Sequence, residues 1–391
     1  MPSAMDLAGA IEPELIAIRR DLHQNPETAW QETRTSAKVA EYCERLGLAV
    51  QRVARTGVIA TLNQGKPGLV MAFRADMDAL PIQEENDLPY KAACQGKGHL
   101  CGHDAHTAML LGAARILAQH REKVPFQVRF IFQPAEEVTE GGAELMLKEN
   151  RLEGVNEIFG LHVNPMLPTG CLGLRSGPLM ASMDRFEIEI EGSGGHGAMP
   201  HLTRDPVLAA AETIMALQAI VARRVDPFDS AVVSVCRVDA GSAFNVIPSR
   251  AHLTGTARSL SDPVRERLPR WIVEIAGGVA AAHGQKAQVN YVHGTPVLVN
   301  PPECVERMSR SFCALGGRVQ EAKPTMGGED FAFFLEKIPG CFGFLGASDG
   351  TPATAQSFHS PRFNLDERAL AWGTALFVQL VLDKAGLDFR F

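Results

Sequence analysis

The protein has 391 residues, of which 46% are hydrophobic and 21% are charged, and its formal net charge is -7. This composition is typical of a soluble globular protein of about two or three domains and excludes a largely disordered chain. The acidic balance and the lack of a Lys/Arg run argue against nucleic acid as a partner.

The first residues predict an amphipathic helix and not a secretory signal, because no basic segment precedes an apolar one. The apolar stretches, such as IVEIAGGVAAA, are shorter than the roughly 20 residues that cross a membrane. Eight cysteines are scattered without a C-x-x-C pair, which favours reduced thiols. We therefore expect a cytoplasmic protein with no membrane partner.

The first part of the chain alternates helices and strands. We predict helices over 12–23, 36–46 and 106–118 and in GGAELMLKEN, with strands in GVIATL, GLVMAFRADM, QVRFIFQ and EIFGLHV. This order predicts an α/β domain whose mainly parallel sheet has helices on both faces.

The pattern changes after GPLMA. RFEIEIEG alternates apolar and acidic residues, as a strand with one exposed face does. A helix over 205–224, strands SAVVSVCRVDAG and SRAHLTGTARSL, helix PVRERLPRWIVEIAGGVAAAHG and strand QVNYVHG complete an α+β domain. A helix over 302–315, the segment FAFFLEKI, strand CFGFLG and a helix over 366–384 then resume the first pattern. We predict a discontinuous domain of residues 1–181 and 294–391, interrupted by an inserted domain of residues 182–293.

Residues able to carry chemistry lie at the ends of two predicted strands and before one predicted helix. In GHLCGHDAHTAM, Cys101 and His103 lie in the expected turn before a helix. Strand QVRFIF leads directly into Glu136 and Glu137, and the next strand delivers His162. The carboxyl ends of strands in such sheets meet at one edge, where ligands bind.

Each group taken alone has a structural explanation. A Cys or His near a helix start is about as often a packed or capping residue, and two adjacent glutamates can be a solvated pair. Their convergence favours a site. Cysteine, histidine and carboxylate together suit zinc and neighbouring divalent metals. One glutamate can ligate while its neighbour acts as general base and then donates a proton to a leaving amine, which is metal-assisted amide hydrolysis.

A resemblance to a known family covers nearly the whole chain. FRADMDALPI, CGHDAHTAML, FQPAEE, GLHVNP, GGHGAMPH, NVIPSRA, GTARS, MGGEDF and FHSPRFNLDE occur in the order of metallopeptidase family M20. They resemble its amidohydrolase branch, which contains hippurate hydrolases, N-acyl-amino-acid amidohydrolases and plant auxin-conjugate hydrolases. The resemblance implies a zinc-exopeptidase-like catalytic domain with two divalent ions per subunit, Zn, Mn, Co or Ni. It also implies an inserted lid domain that forms homodimers or higher homo-oligomers, and hydrolysis of N-acyl-L-amino acids to a carboxylic acid and a free amino acid.

The same resemblance assigns residues. It implies that the metal ligands are Cys101, His103, Glu137, His162 and His359, with Glu136 as the general base. In the inserted domain it implies that His196 stabilises the oxyanion and that Asn245 and Arg258 contact the substrate carboxylate. Without it, Asn245 is a turn residue and Arg258 an exposed strand residue.

The chain departs from the wider family at two points. Many M20 peptidases bridge the metals with an aspartate, whereas this branch has Cys101, which leaves the identity and full occupancy of the metals open. Asp76 and Asp78 stand at the position of an H-x-D motif without its histidine, so we interpret them as orienting or structural carboxylates. Asp104 and His106 stay outside the predicted ligand set.

Two other motifs are interpreted as coincidental. GSGGHG satisfies G-x-G-x-x-G, but a polar loop with Pro200 precedes the next helix. GASDG satisfies G-x-S-x-G, but Pro352 follows where a helix is required. The remaining alternatives are a dipeptidase or carboxypeptidase of the M20 type, or a non-catalytic metal-binding or peptide-binding homologue. The preferred acyl group and amino acid stay open.

Overall fold

The computed structural model describes residues 2–387, which divide into two compact units. The first unit comprises the described residues up to Gly177, the segment Asn300–Lys323 and the described residues from Phe333 onward. The second unit comprises Pro178–Val299 and Pro324–Ala332.

The secondary structure elements are numbered in chain order. The α-helices are α1 (Ala4–Ala10), α2 (Glu12–Gln24), α3 (Thr33–Arg45), α4 (His103–Gln119), α5 (Gly142–Lys148), α6 (Pro206–Arg223), α7 (Asp262–Ala282), α8 (Pro302–Ala314), α9 (Phe331–Leu335) and α10 (Ala369–Ala385). The strands are β1 (Ala49–Val53), β2 (Gly57–Leu62), β3 (Val70–Asp76), β4 (Gln127–Gln133), β5 (Glu157–Pro168), β6 (Cys171–Leu174), β7 (Gly177–Met180), β8 (Ser182–Glu191), β9 (Gly195–His196), β10 (Ala231–Ala240), β11 (Val246–Ile247), β12 (Arg250–Ser259), β13 (Lys286–Thr295), β14 (Leu298–Asn300), β15 (Arg318–Glu321) and β16 (Gly340–Ser348).

An eight-stranded sheet of order β1-β2-β4-β3-β5-β16-β6-β15 forms the centre of the first unit. Its central strands β4, β3, β5 and β16 are parallel to one another. β2, β3 and β16 are buried along their whole length, which explains their continuous apolar sequences. The mixed α/β architecture with a large, mainly parallel sheet therefore agrees with the prediction.

The strand register places the functional segments at one level. Asp76 at the end of β3 lies beside Gln133 at the end of β4. His162 on β5 lies beside Phe344 on β16. These strands run in the same direction, so the chain leaves β3, β4 and β16 at the same edge of the sheet. His162 lies toward that edge on β5.

The second unit contains an antiparallel sheet of order β10-β12-β8-β13. On β8, Phe186, Ile188 and Ile190 are buried, while the intervening residues are partly or fully exposed. These three side chains join a core that includes buried residues of α6 and α7. The alternation in the sequence therefore predicts the face of this sheet correctly.

Helix α6 is long and apolar enough, by length and composition, to cross a membrane. Ala209, Thr213, Leu217 and Ile220 on one side of it are buried in the core of the second unit. A core helix of a soluble protein passes the same test of length and composition.

Three predicted helix starts were wrong by three residues: α3 begins at Thr33 and not at 36, α10 begins at Ala369 and not at 366, and the third, that of α4, bears on the site. The sequence places Cys101 and His103 in a turn before a helix that begins at His106, but α4 begins at His103. Gly102 has a φ of 96° and a backbone that folds directly into the helix without a polar N-cap side chain. This left-handed conformation favours glycine and shortens the turn.

Candidate metal centre

The first turn of α4 delivers two of the predicted ligands. Cys101 precedes Gly102, whose positive φ reverses the chain so that His103 begins the helix. A side chain at residue 102 would place its Cβ 2.3 Å from Cγ2 of Val163. Glycine is therefore required both by the backbone conformation and by the close approach to β5.

The other predicted ligands come from three further segments. Glu136 and Glu137 follow β4, and His162 lies within β5. His359 lies on the loop after β16, where its backbone N–H donates to the carbonyl of Leu100 at 2.9 Å. This bond ties the loop of His359 to the residue that precedes Cys101.

The structure brings all five predicted ligands and Glu136 together. Potential ligand atoms of each of three groups lie within 4.8 Å of one another: Cys101, His103 and His162; Cys101, Glu137 and His359; His103, Glu136 and Glu137. Cys101 belongs to two of these groups, and so do His103 and Glu137. The three groups therefore overlap, so that one residue could contribute to two of them.

Individual distances describe the same cluster. The thiol of Cys101 lies 3.4 Å from Nε2 of His162. Oε1 of Glu137 lies 3.2 Å from Nε2 of His359 and 3.8 Å from Nε2 of His103. The His103 side chain is almost fully buried, whereas that of His359 is 49% exposed. The cluster is therefore buried at His103 and open to solvent at His359.

Unsatisfied polar atoms show that the cluster fits a cation. Both ring nitrogens of His103 and Oε1 of Glu137 are buried and have polar neighbours, but they make no well-aligned hydrogen bond among the described residues. Nδ1 of His162 contacts the carbonyl oxygen of Val163 at 2.8 Å, and as a donor there it leaves Nε2 free to accept. Buried donors and acceptors normally have hydrogen-bond partners, so these atoms are available to bind a cation. Sulfur, nitrogen and carboxylate donors together suit zinc and neighbouring divalent metals.

Electrostatics in the cluster point the same way. Burial lowers the pKa of His162 well below its ordinary value, which leaves the imidazole neutral and able to ligate. Burial, with the nearby Glu137 carboxylate, raises the pKa of the Cys101 thiol well above its ordinary value. A thiolate at this position therefore needs a cation beside it.

His106 and Asp76 are held by other partners. The backbone N–H of Val163 donates to Nε2 of His106 at 2.9 Å, so the proton of this ring lies on Nδ1, which donates to Asp76 at 2.6 Å. The other oxygen of Asp76 accepts from Arg74 at 2.6 Å. Both groups already have strong partners, which agrees with leaving His106 out of the ligand set.

Asp104 faces away from the cluster into a buried ionic network. Its Oδ2 accepts from Nε of Arg19 at 3.1 Å and lies 2.8 Å from Nδ1 of His23. Nε2 of His23 lies 3.1 Å from Glu84. No local sequence pattern predicts this network, because Arg19 and Asp104 are 85 residues apart. It anchors the first turn of α4, which carries His103.

The other predicted site residues lie in the second unit. His196 is exposed on β9, where it pairs with Val246 of β11. The neighbouring residue Asn245 is also exposed, and its carbonyl accepts from the N–H of Gly197 at 2.9 Å. His196 and Asn245 are therefore local neighbours. Arg258 on β12 is partly buried and donates to the carbonyl of Met326 at 2.9 Å.

The two motifs that we interpret as coincidental lie in loops and at strand ends. The glycines of GSGGHG lead into β9, and α6 begins only at Pro206, so no helix starts at these glycines. Ser348 of GASDG ends β16, and its hydroxyl lies 3.3 Å from that of Thr354 and accepts from the N–H of Gly350. Neither of these hydroxyl contacts involves a histidine that could activate a nucleophile.

Comparisons with known proteins agree with this geometry. A model of the family described as peptidase family M20/M25/M40 matches residues 72–383. N-acetylcysteine deacetylase of Bacillus subtilis (strain 168) is 42% identical over 95% of this chain and 97% of its own length. IAA-amino acid hydrolase ILR1-like 2 of Arabidopsis thaliana is 40% identical over 94% of this chain and 84% of its own length.

A solved structure is similar over the whole chain. The YXEP protein of Bacillus subtilis, described as a dinuclear metal binding peptidase from the M20 family, is 39% identical with a TM-score of 0.84. The match covers 97% of this chain and all of that one. This neighbour and the clusters of potential ligands support binding of divalent metals.

Proposed function

Since the chain belongs to peptidase family M20/M25/M40, we propose that it hydrolyses the amide bond of N-acyl-L-amino acids and releases a carboxylic acid and a free amino acid. The family match and its relatives establish a metal-dependent amidohydrolase. The choice of an N-acyl amino acid as substrate is supported by the names of the deacetylase and the auxin-conjugate hydrolase among the relatives.

The observation that carries the proposal is the set of overlapping ligand groups around Cys101, His103 and Glu137. We propose two divalent ions per subunit, Zn, Mn, Co or Ni, held by these residues together with His162 and His359. Such ions polarise an amide carbonyl and make water more acidic. Cys101, His103 and Glu137 each belong to two of these groups and would hold the ions together with His162 and His359.

Glu136 has the position required of a proton carrier. It is partly exposed and shares a group with His103 and Glu137. A carboxylate here takes a proton from the attacking water and passes it to the nitrogen of the leaving amino acid. The adjacent Glu137 meanwhile remains a ligand, so the two glutamates divide ligation from proton transfer.

Substrate recognition is proposed for the second unit. His196 is suited to stabilise the negative charge on the carbonyl oxygen, and Asn245 and the planar guanidinium of Arg258 to bind the carboxylate of the amino acid. The exposed neighbouring positions of His196 and Asn245 support a joint role. We also propose that residues 182–293 act as the inserted lid and dimerisation domain and that the protein works in the cytoplasm as a homo-oligomer.

One experiment tests the proposed function against its alternatives. N-acetyl, benzoyl and indole-acetyl amino acids and a set of dipeptides are incubated with the protein, and the release of free amino acid is measured before chelation, after chelation and after addition of each metal. We expect release from N-acyl amino acids, loss on chelation and recovery with metal. Preference for dipeptides would favour a peptidase, and metal binding without turnover of any substrate would favour a non-catalytic homologue.

A further inference from the structure

The turn that carries Glu136 and Glu137 donates three consecutive backbone N–H groups to two buried carboxylates. The N–H of Ala135 donates to Oε1 of Glu32 at 2.9 Å. The N–H of Glu136 donates to Oδ1 of Asp78 at 3.0 Å, and that of Glu137 to Oδ2 of Asp78 at 3.1 Å. Each backbone donor of the turn therefore has a fixed carboxylate partner.

The two carboxylates come from separate elements and are themselves held in place. Glu32 is fully buried at the N-cap of α3, where Oε1 also accepts from the N–H of Trp30 at 3.1 Å and Oε2 from the hydroxyl of Thr56 at 2.7 Å. Asp78 is also buried and follows β3. A contact between α3, β3 and the turn after β4 thus fixes the backbone of the turn.

The turn requires such support because its backbone is unusual. Ala135 has a φ of 52°, in the left-handed region that residues with a side chain avoid. Strained backbone persists at functional sites where surrounding contacts over-determine it. The strained residue, Ala135, itself donates to Glu32, and the next two residues donate to Asp78.

We propose that Glu32 and Asp78 are positioning residues that hold the Ala135–Glu137 turn and thereby aim the side chains of Glu136 and Glu137. This inference deepens the proposed function and depends on it for the roles of the two glutamates. Neither positioning residue needs to touch the substrate. Asp78 lies 3.4 Å from Nδ1 of His103 as well, so Glu32 offers the cleaner test.

The two carboxylates respond differently to replacement by an amide. The N–H groups of Trp30 and Ala135 both donate to Oε1 of Glu32, while Oε2 faces the hydroxyl of Thr56, which can also accept a hydrogen bond. Gln at position 32 can therefore keep these three contacts. Both oxygens of Asp78 receive backbone N–H groups, so Asn at position 78 must turn its NH₂ toward one of them.

The test compares Glu32→Leu with Glu32→Gln and with a matched control, Glu27→Leu. Glu27 also accepts two backbone N–H groups, from Arg34 and Thr35, but does not contact the turn through these bonds. Amide hydrogen exchange of a peptide containing residues 134–137 is measured in chelated protein, and kcat and KM are measured with metal. We expect Glu32→Leu to exchange about tenfold faster in this peptide and to lose at least about tenfold in kcat, with KM changed less.

Glu32→Gln should behave as the unchanged protein does, and Glu27→Leu should keep the exchange rate of the turn. Equal effects of Glu32→Leu and Glu27→Leu, or a Glu32→Gln variant as impaired as Glu32→Leu, would overturn the positioning role. If Glu32→Leu does not fold, Asp78→Asn is used, and unchanged exchange at residues 136 and 137 would contradict the proposal. The exchange measurement needs no turnover. If the unchanged protein is inactive on amides and Glu32→Leu still exchanges faster in the turn, only the proposed function is rejected.

Discussion

Glu136 and Glu137 are adjacent in the chain but have different surroundings. Oε1 of Glu137 lies near two histidines, and although burial opposes its charge, the contacts with His359 and His103 lower the pKa of this carboxyl. Glu136 joins His103 and Glu137 in one group and reaches solvent. This difference supports our proposal that Glu137 is a ligand and that Glu136 carries the proton.

Replacing Glu136 by Gln should separate catalysis from metal binding. The amide keeps the size of the side chain but cannot accept the proton of water, so kcat should fall by roughly 10²- to 10⁴-fold. Metal content, measured by atomic absorption, should not change. Glu140→Gln, at an exposed position of the same loop, is the control and should keep its activity. Near-normal turnover of Glu136→Gln with full metal content would place the base elsewhere.

The residues that meet in the cluster could be predicted from sequence, while the residues that hold them in place could not. Cys101, His103, Glu137 and His162 belong to short motifs at strand or helix ends, where local pattern is informative. Glu32 contacts Ala135 across 103 positions, and its neighbourhood reads as an ordinary helix start. A single sequence has no signal for such a contact, because it depends on how distant elements pack.

His23 is a buried group whose charge depends on pH. Burial disfavours its charged form, but the hydrogen bonds to Asp104 and Glu84 outweigh burial and raise the pKa of His23 above 6.5. The positive charge of Arg19 opposes this shift, and His99 lies nearby with an unsatisfied ring. Protonated His23 thus joins two carboxylates of different segments.

This network predicts that stability decreases as pH rises. A group whose pKa is raised on folding gives its full stabilisation below its unfolded value near 6.5, and loses it as pH rises through the folded pKa. Since the lowered pKa values of the buried His99, His106 and His162 act in the opposite sense, the fall expected is that of the His23 contribution. The free energy of unfolding, measured with urea from about pH 6 to about pH 9, should therefore fall more steeply with pH in the unchanged protein than in a variant without His23. His23→Gln should flatten this slope, whereas His252→Gln, at an exposed strand position, should retain it. An unchanged slope in His23→Gln would refute the assignment.

Among the elements, the turn after β4 is constrained from several sides. Besides the two carboxylates, the N–H of Gly142 at the start of α5 donates to the carbonyl of Ala135 at 3.1 Å. A Cβ at residue 142 would lie 1.9 Å from the carbonyl oxygen of Pro134. That atom belongs to the backbone. A side chain at residue 142 would therefore displace either α5 or the turn.

Gly142→Ala should therefore disturb the site through the turn. We expect a loss of about 1–3 kcal/mol in the free energy of unfolding and weaker metal binding in a titration with zinc. Gly277→Ala is the matched control, because Gly277 lies within α7 and an added Cβ meets no atom within 4 Å. Alanine there should stabilise by up to about 1 kcal/mol. Equal metal affinity in both variants would show that the turn tolerates the displacement.

Sequence pattern predicted the long elements and missed the short ones. The alternation on β8 and the apolar sequence of β16 correspond to a half-exposed and a fully buried strand. β1, β6 and β15 have only four or five residues, too few for a period to be read, and were not predicted. The start of α4 was displaced because the glycine conformation before it depends on contact with β5.

At the scale of the whole molecule, the second unit offers a surface suited to self-association. Leu208 and Met215 lie seven residues apart on α6, hence on one face, and are 58% and 74% exposed. β10 forms an edge of the antiparallel sheet. An exposed apolar face beside an unpaired strand edge is typical of an interface between subunits and supports the proposed homodimer.

Glutamate at both positions should prevent that association. Covering two charged side chains with a partner would remove them from water, and the apolar area that favours association would be lost as well. The variant Leu208→Glu/Met215→Glu should therefore sediment as a monomer in analytical ultracentrifugation at concentrations where the unchanged protein is a dimer. Val273→Glu, at a 49% exposed position of α7, should remain dimeric. A double variant that sediments like the unchanged dimer would exclude this face of α6 as the interface, and an unchanged protein that is itself monomeric would refute the homodimer.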